Sequence, residues 1–263
     1  MKKNSTPLKN KRIVITRPKD QNAELRDLLV ARGAEVLEMP LIEICISESE
    51  NIAPEILSGF GEYDWLVFTS ANGVRGFFTH FFARYKDIRS IGPCRIACVG
   101  PATARAVEAV HLEVDCIPET HTGEALAEKL LNDHGIENLK ICVVTGNRNA
   151  DTLPKKLEEA GRAIVDVFPV YTTDDSDVSA HKAAEDFREN GAHAIVFASG
   201  SAVKSFVAQA AALTLQPTAI RPQVVAIGAP TSSELRAAGI PVAGTARAAT
   251  PAAIVETLIE ILG

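Results

Sequence analysis

The chain has 263 residues, 46% of them hydrophobic, and a formal net charge of −6. That length holds two domains of ordinary size and that apolar content can fill two cores, while the acidic balance argues against a nucleic-acid-binding surface. No apolar run approaches the length of a membrane span, and Met1–Lys11 is polar without the apolar core of a signal peptide, so the chain reads as cytoplasmic and its start as a loose tail.

From residue 12 onward the chain repeats one grammar: a short apolar run, a cluster of Ser, Thr, Gly or Pro, then an amphipathic stretch. This is how strand-loop-helix units read. The apolar runs are Ile13–Ile15, Leu66–Phe68, Ile96–Val99, Ile141–Val144, Ile195–Phe197 and Val224–Ile227. None alternates with polar residues, as expected of parallel strands covered on both faces. The helices carry the alternation: Leu25, Leu28 and Leu29 lie opposite Glu24, Arg26 and Asp27, and Ile254, Leu258 and Ile261 lie opposite Glu256 and Glu260. Gly33, Gly161 and Gly239 stand where helix C-caps are expected.

The second half restates the first at a displacement of about 128 to 130 residues. Arg12–Thr16, Leu25, Leu29, Gly33 and Met39-Pro40-Leu41 return as Lys140–Thr145, Leu153, Leu157, Gly161 and Phe168-Pro169-Val170. Leu66–Val74 returns as Ile195–Val203, Ala97–Ala104 as Val225–Ser232, and Thr122–Leu126 as Thr250–Ile254. A period this long is a whole domain rather than a solenoid unit, so two similar domains around one cleft are expected.

Chemistry-bearing motifs are mostly missing. Cys45, Cys94, Cys98, Cys116 and Cys142 are odd in number and without metal-type spacing, which reads as reduced core thiols, and the six histidines form no ligand pair. There is no phosphate loop, no nucleophile elbow and no dinucleotide fingerprint. What remains is a set of small polar residues after strand ends, each expected to open a helix: Thr16-Arg17, Ser70–Gly73, Gly100–Thr103, Thr122-Gly123, Thr145–Asn147, Ser199–Ser201, Thr231–Ser233 and Thr250-Pro251. In open parallel sheets ligands bind at this edge, and helix starts offer free N–H groups to anions. Each such residue alone is equally a helix cap, and Pro18, Pro101, Pro230 and Pro251 suit a first helical turn. Together they suggest a ligand with several carboxylates or phosphates, held by neutral donors.

The ordered segments Thr16-Arg17-Pro18, Asp64–Val74, Val99–Ala104, Pro169–Thr173, Phe197–Val203 and Ala226–Ser232 resemble uroporphyrinogen-III synthase over about residues 12 to 262, essentially the whole chain. The resemblance implies an α/β fold of two similar parallel-sheet, flavodoxin-like domains from an internal duplication, joined by a two-stranded linker. It places residues 1–43 with 172–263 in one domain and 46–169 in the other, with extended linkers near Pro40–Ile46 and Phe168–Thr173. A contiguous split near Gly135 is the alternative from the residues alone.

The implied activity is cofactor-free cyclisation of hydroxymethylbilane, a linear tetrapyrrole polycarboxylate, with inversion of its last ring. Loss of the terminal hydroxyl gives an azafulvene, and attack through a spiro intermediate reverses ring D. Substrate left alone closes without inversion, so control of geometry comes ahead of strong acid-base groups. Tyr171 matches the tyrosine proposed in the family to help the hydroxyl depart, although it could instead simply pack at a strand end. Thr16, Arg17, Thr69, Ser70, Asn72, Gly73, Thr103, Thr145, Gly146, Ser199, Ser201, Ala202, Thr231 and Ser232 are the expected substrate-binding positions. Where some members carry Pro-Thr-Thr, this chain reads Ala229-Pro230-Thr231, leaving Thr231 and Ser232 as donors. No metal, nucleotide, nucleic-acid or membrane partner is expected, and the chain is expected to be a monomer. The rival reading is a non-catalytic two-domain sensor or carrier of an anionic small molecule. A glycosyltransferase would need a longer chain and a nucleotide-sugar carboxylate clamp.

Overall fold

A computed structural model describes residues 6–47, 52–148, 151–179 and 181–263. The chain opens with β1 (Arg12–Ile15), α1 (Ala23–Ala31), β2 (Glu35–Glu38), β3 (Ile42–Ile46), α2 (Ile52–Ser58), β4 (Trp65–Phe68), α3 (Ala71–Arg84), β5 (Arg95–Cys98), α4 (Pro101–Glu108) and α5 (Gly123–His134). It continues through β6 (Lys140–Gly146), α6 (Thr152–Glu159), β7 (Ile164–Asp175), α7 (Lys182–Asn190), β8 (Ala194–Phe197), α8 (Gly200–Ala208), β9 (Gln223–Ala226), α9 (Ala229–Ala237), β10 (Gly244–Thr245) and α10 (Pro251–Leu262). Two compact units result, one joining the chain as far as Glu43 to Asp174–Gly263, the other Ile44–Thr173.

The sheet of the first unit runs β10-β9-β8-β1-β2, with every pairing parallel. Its unbroken apolar strands feed two cores. Ile13 and Ile15 join Leu25 and Leu29 of α1 and Ile254 and Leu258 of α10 on one face. Val14 joins Phe187 of α7, Val203 of α8 and Leu235 of α9 on the other. Burying one such side chain contributes about 1.5 to 3 kcal/mol, so continuous apolar strands follow from two covered faces.

The sheet of the second unit runs β3-β7-β6-β4-β5. Trp65, Val67, Ile141 and Val143 pack against Leu126 and Leu130 of α5 and Leu153 and Leu157 of α6. Leu66, Phe68 and Val144 pack against Phe77 and Phe81 of α3 and Val107 of α4. Gly76 lets α3 close on β7, since a Cβ there would meet Val170 Cγ2 at 2.7 Å. The parallel expectation fails at one place. Bonds from Ser47 N to Val170 O (3.1 Å) and from Ser176 N to Leu41 O (3.0 Å) set β3 antiparallel to the end of β7.

The repeat is shared between the units. By its register β1 and β2 correspond to β6 and β7, and β4 and β5 to β8 and β9. One sheet contains β2-β1-β8-β9 and the other β7-β6-β4-β5, so each takes one strand pair from each half of the sequence.

Three further expectations are corrected. Residues Thr6–Lys11 are not loose: Leu8 is fully buried and its N–H donates to Arg32 O at 3.0 Å, while Met1–Ser5 lie outside the described residues. Gly161 does not supply the left-handed residue after α6, which falls on Arg162 (φ 51°). Gly161 is instead needed for closeness, because a Cβ there would lie 2.7 Å from Ile136 Cδ1. Cys45 is exposed, whereas Cys98, Cys116 and Cys142 are buried.

Candidate functional site

In a parallel sheet the crevice for a ligand opens where neighbouring strands send their helices in opposite directions. That point lies between β1 and β8 in the first unit and between β6 and β4 in the second. The expected site residues gather at these carboxyl edges, but they do not all play the helix-opening part.

Two of them cap helices as expected. Ser70 is extended (φ −158°, ψ 160°) and its Oγ accepts the Gly73 N–H of α3 at 3.0 Å. Ser199, its counterpart in the repeat, has φ −161° and ψ 156° and accepts the Ala202 N–H of α8 at 3.2 Å. Thr122 and Thr250 make the same bond to Ala125 and Ala253. A Ser or Thr hydroxyl satisfies one of the orphan N–H groups of a helix start in this way. Ser201 follows half-exposed in the first turn of α8, and Ala202 is buried.

Other positions do not open helices. After Thr16 and Arg17 comes a short 3₁₀ turn (Lys19–Gln21), and α1 starts only at Ala23. Thr145 and Gly146 end β6, while α6 waits until Thr152. Thr145 and Gly146 extend the ladder because β7 is there to pair with them, through Pro169 and Tyr171. Thr103 and Thr231 lie inside the first turns of α4 and α9, whose caps are Gly100 and Gly228 without a side-chain bond. Pro101 and Pro230 carry no N–H and the Thr103 N–H donates to Gly100 O at 3.1 Å, so these first turns hold fewer backbone donors than a proline-free helix start.

The hydroxyl protons are also directed differently. Thr16 is fully buried, and both its N–H (3.3 Å) and its Oγ1 (2.8 Å) donate to Val196 O of β8. Thr69 does the same across β4 and β6, to Val144 O at 3.3 Å and 3.0 Å. A hydroxyl has one proton, so each of these ties the two strands of its switch point rather than offering a donor to a ligand. Ser232 Oγ accepts from Thr245 Oγ1 at 3.1 Å and so holds β10. Asn72 Oδ1 accepts from Arg75, its neighbour one turn along α3.

Tyr171 stands with the β6–β4 edge. Its hydroxyl lies 3.0 Å from Ser70 Oγ. Its ring lies against Gly146, where a Cβ would meet Cε1 at 2.9 Å and Cζ closer still. The ladder between β6 and β7 shifts register between Thr145 and Gly146, which pairs Gly146 with Tyr171. The residue remains 7% exposed and shares the core with Phe77 and Phe168. Tyr63 is a contrast: it lies just before β4, its hydroxyl donates to Asp166 Oδ2 at 2.6 Å, and burial followed by that bond raises its pKa above the ordinary phenol range.

Asn147, expected to open a helix, clamps a strand instead, and Asn22 escaped the sequence reading. Asn147 donates its N–H to Tyr171 O (3.2 Å) and accepts the Thr173 N–H on Oδ1 (2.8 Å), which clamps the strand that carries Tyr171. Asn22 is fully buried and donates to Arg17 O (3.3 Å) and Glu38 Oε2 (2.9 Å), which pins the Arg17 loop. Both are asparagines beside a turn, the residue type that substitutes a side chain for a backbone bond. Among the described residues no group of three or more His, Cys, Asp and Glu side chains is placed to hold a metal ion.

Comparison with known proteins follows the same outline. The family described as "Uroporphyrinogen-III synthase HemD" matches residues 23–256. A "Porphyrin biosynthesis protein HemD" of Ruminiclostridium josui is 30% identical over 203 residues, covering 77% of this chain but 40% of that protein. The "Uroporphyrinogen-III synthase" of Synechococcus elongatus is 30% identical over 201 residues, covering 76% of this chain and 75% of its own. Among solved structures, a mutant uroporphyrinogen III synthase of Thermus thermophilus superposes with a TM-score of 0.67 at 16% identity, covering 95% of this chain and 98% of its own. The Helicobacter pylori uroporphyrinogen-III synthetase gives 0.59 at 15%, covering 95% and 99%. At such identities the structures speak for the fold.

Proposed function

Because the chain belongs to the uroporphyrinogen-III synthase family, we propose that it closes hydroxymethylbilane, with inversion of ring D, to uroporphyrinogen III. The observation that carries this reading is a tyrosine hydroxyl set on a helix-capping serine at a sheet switch point, within a chain matched by the family over residues 23–256.

The step assigned to Tyr171 is departure of the terminal hydroxyl. The pyrrole nitrogen lone pair expels the C–O electron pair, Tyr171 gives its proton to the leaving oxygen, and water and an azafulvenium are formed. The phenolate regains a proton when the macrocycle closes and the attacked ring carbon loses hydrogen. A positioned donor of this kind supplies about 10² to 10⁴ in rate. The remaining work is steric: a flexible chain is held in one coil so that the spiro path outruns direct closure.

The substrate's carboxylates are assigned to neutral donors at the carboxyl edges of the sheets. Ser199 and Ser201, together with the hydroxyls of Thr103 and Thr231 at the starts of α4 and α9, supply them, each bond to a charged group contributing about 1.5 to 3 kcal/mol. The domains are read as the two units, the enzyme as a cytoplasmic monomer, and the chemistry as that of a carbon–oxygen lyase needing no metal, nucleotide or flavin. The test is to desalt the protein after chelator treatment, add fresh hydroxymethylbilane and resolve the product isomers. The type III isomer is expected; the type I isomer alone would overturn the reading.

A further inference from the structure

Ser70 and Tyr171 form a pair that the duplication did not copy. The serine is repeated as Ser199 with the same extended backbone and the same bond to the third residue of its helix. The tyrosine is not: Ile42 stands at the position that corresponds to Tyr171. The partner under the ring differs in the same way, since Gly146 corresponds to Arg17. Capping alone therefore does not require a phenol, and α8 starts perfectly well without one. In the second unit, glycine at 146 and tyrosine at 171 occur together, and each makes room for or fills the space of the other.

The phenol is held at three levels. Asn147 fixes the backbone of residues 171 and 173 from both of its polar ends. Gly146 supplies a flat surface for the ring. Ser70 Oγ meets the hydroxyl at 3.0 Å. A serine hydroxyl has two acceptor sites and one proton. Gly73 N–H occupies one acceptor site, and the Ser70 proton and its second acceptor site both remain for the contact with Tyr171, in which either oxygen can donate.

We propose that Ser70 is a positioning residue for Tyr171: its hydroxyl, anchored on the start of α3, donates to the phenol oxygen and leaves the phenol proton for the departing hydroxyl of the substrate. This rests on the reading of Tyr171 as the proton donor. The bond strengthens as the phenol loses its proton, because a hydrogen bond to an anionic oxygen is the stronger kind. Ser70 thus acts on the rate of departure through Tyr171, and its contribution falls on kcat rather than KM.

The experiment titrates the Tyr171 phenol by its phenolate absorbance, taking each protein against its own Tyr171→Phe counterpart. Tyr63 and Tyr85 cancel in that difference. The variants are Ser70→Gly, which keeps a residue acceptable at the N-cap, Ser70→Ala, and Ser70→Thr, which restores a hydroxyl. Loss of the Ser70 donor moves the Tyr171 midpoint to higher pH in the Gly and Ala variants, and Thr returns it towards wild type. In parallel kcat falls about two- to tenfold with KM nearly unchanged. A midpoint that stays put in Ser70→Gly, or a loss that falls on KM alone, overturns the proposal. The two readings fail separately: a wild-type protein that makes no type III isomer removes the function, whereas the titration still decides whether Ser70 places the phenol.

Discussion

The ring of Tyr171 occupies the space that a side chain at Gly146 would need, with ring atom Cε1 2.9 Å from the position of the missing Cβ. The glycine is therefore a condition for the tyrosine's placement. Gly146→Ala is expected to displace the ring and lower turnover about tenfold or more. Overpacking of this kind costs about 1 to 3 kcal/mol, so Tm falls by only several degrees. Melting followed by circular dichroism, set beside kcat, checks this. Unchanged turnover in a folded Gly146→Ala would show that ring position does not govern the rate.

Tyr171→Phe keeps the ring on Gly146 and removes only the oxygen that meets Ser70. Turnover is expected to fall about ten- to a thousandfold while the product stays mostly the type III isomer, because proton donation and geometry are separate contributions. Rapid-mixing consumption of hydroxymethylbilane, corrected for spontaneous closure, measures it. A wild-type rate would reduce Tyr171 to a wall of the site.

Ser199 serves both as cap of α8 and as proposed donor, and two substitutions separate those parts. Ser199→Ala loses both and is expected to destabilise by about 1 kcal/mol, whereas Ser199→Gly keeps most of the capping. Both raise KM, by about tenfold if a charged hydrogen bond is lost. Thr231→Ala, in a helix capped by Gly228, raises KM without loss of a cap. If Ser199→Ala melts lower and both Ser199 variants keep the wild-type KM, Ser199 is a cap and nothing more.

The buried and half-buried thiols set a limit on alkaline stability. Burial pushes Cys98 up to about 12 and Cys94 up to about 11 from a usual 9.0, and raises Cys142 further. A raised pKa means that the folded state prefers the neutral thiol. The stabilisation is complete below the unfolded value and is lost as pH rises from about 9 towards 12. Denaturant midpoints are expected to fall through that window. Under native conditions Cys45, the exposed thiol, should react first with a disulfide reagent, the half-buried Cys94 more slowly, and Cys98, Cys116 and Cys142 only on unfolding.

Much of this was readable from the residues, and the exceptions share a cause. Six strands and the caps Ser70, Ser199, Thr122 and Thr250 follow from local pattern: an apolar run, then a hydroxyl three residues before a free N–H. Thr16 and Thr69 carry the same local signal, yet their hydroxyls turn to Val196 and Val144, residues 180 and 75 positions away. Nothing near Thr16 in the sequence indicates which strand will lie beside it. Leu8 was read as part of a polar tail because its burial depends on the Arg32 carbonyl meeting it after α1 has turned back. Gly161 and Arg162 exchanged roles because tight packing against Ile136 and Leu131 outweighed the backbone preference for glycine in the left-handed region. Sequence pattern specifies what a residue does for its own element. What it does for a neighbouring element becomes visible only with the topology.

The crossed sharing of the repeat bears on how the molecule is made at the ribosome. Ile44–Thr173 is one continuous stretch, so the β7-β6-β4-β5 sheet can assemble as soon as β7 has emerged. β1 and β2 are synthesised earlier but have no β8 to pair with until most of the chain exists. Until then the apolar Ile13–Ile15 edge and the inner face of α1 have to wait uncovered. β1 and β2 are made before the other sheet yet find their place after it, and a nascent chain arrested after Thr173 would carry one assembled sheet and one orphaned strand pair open to chaperones or to aggregation.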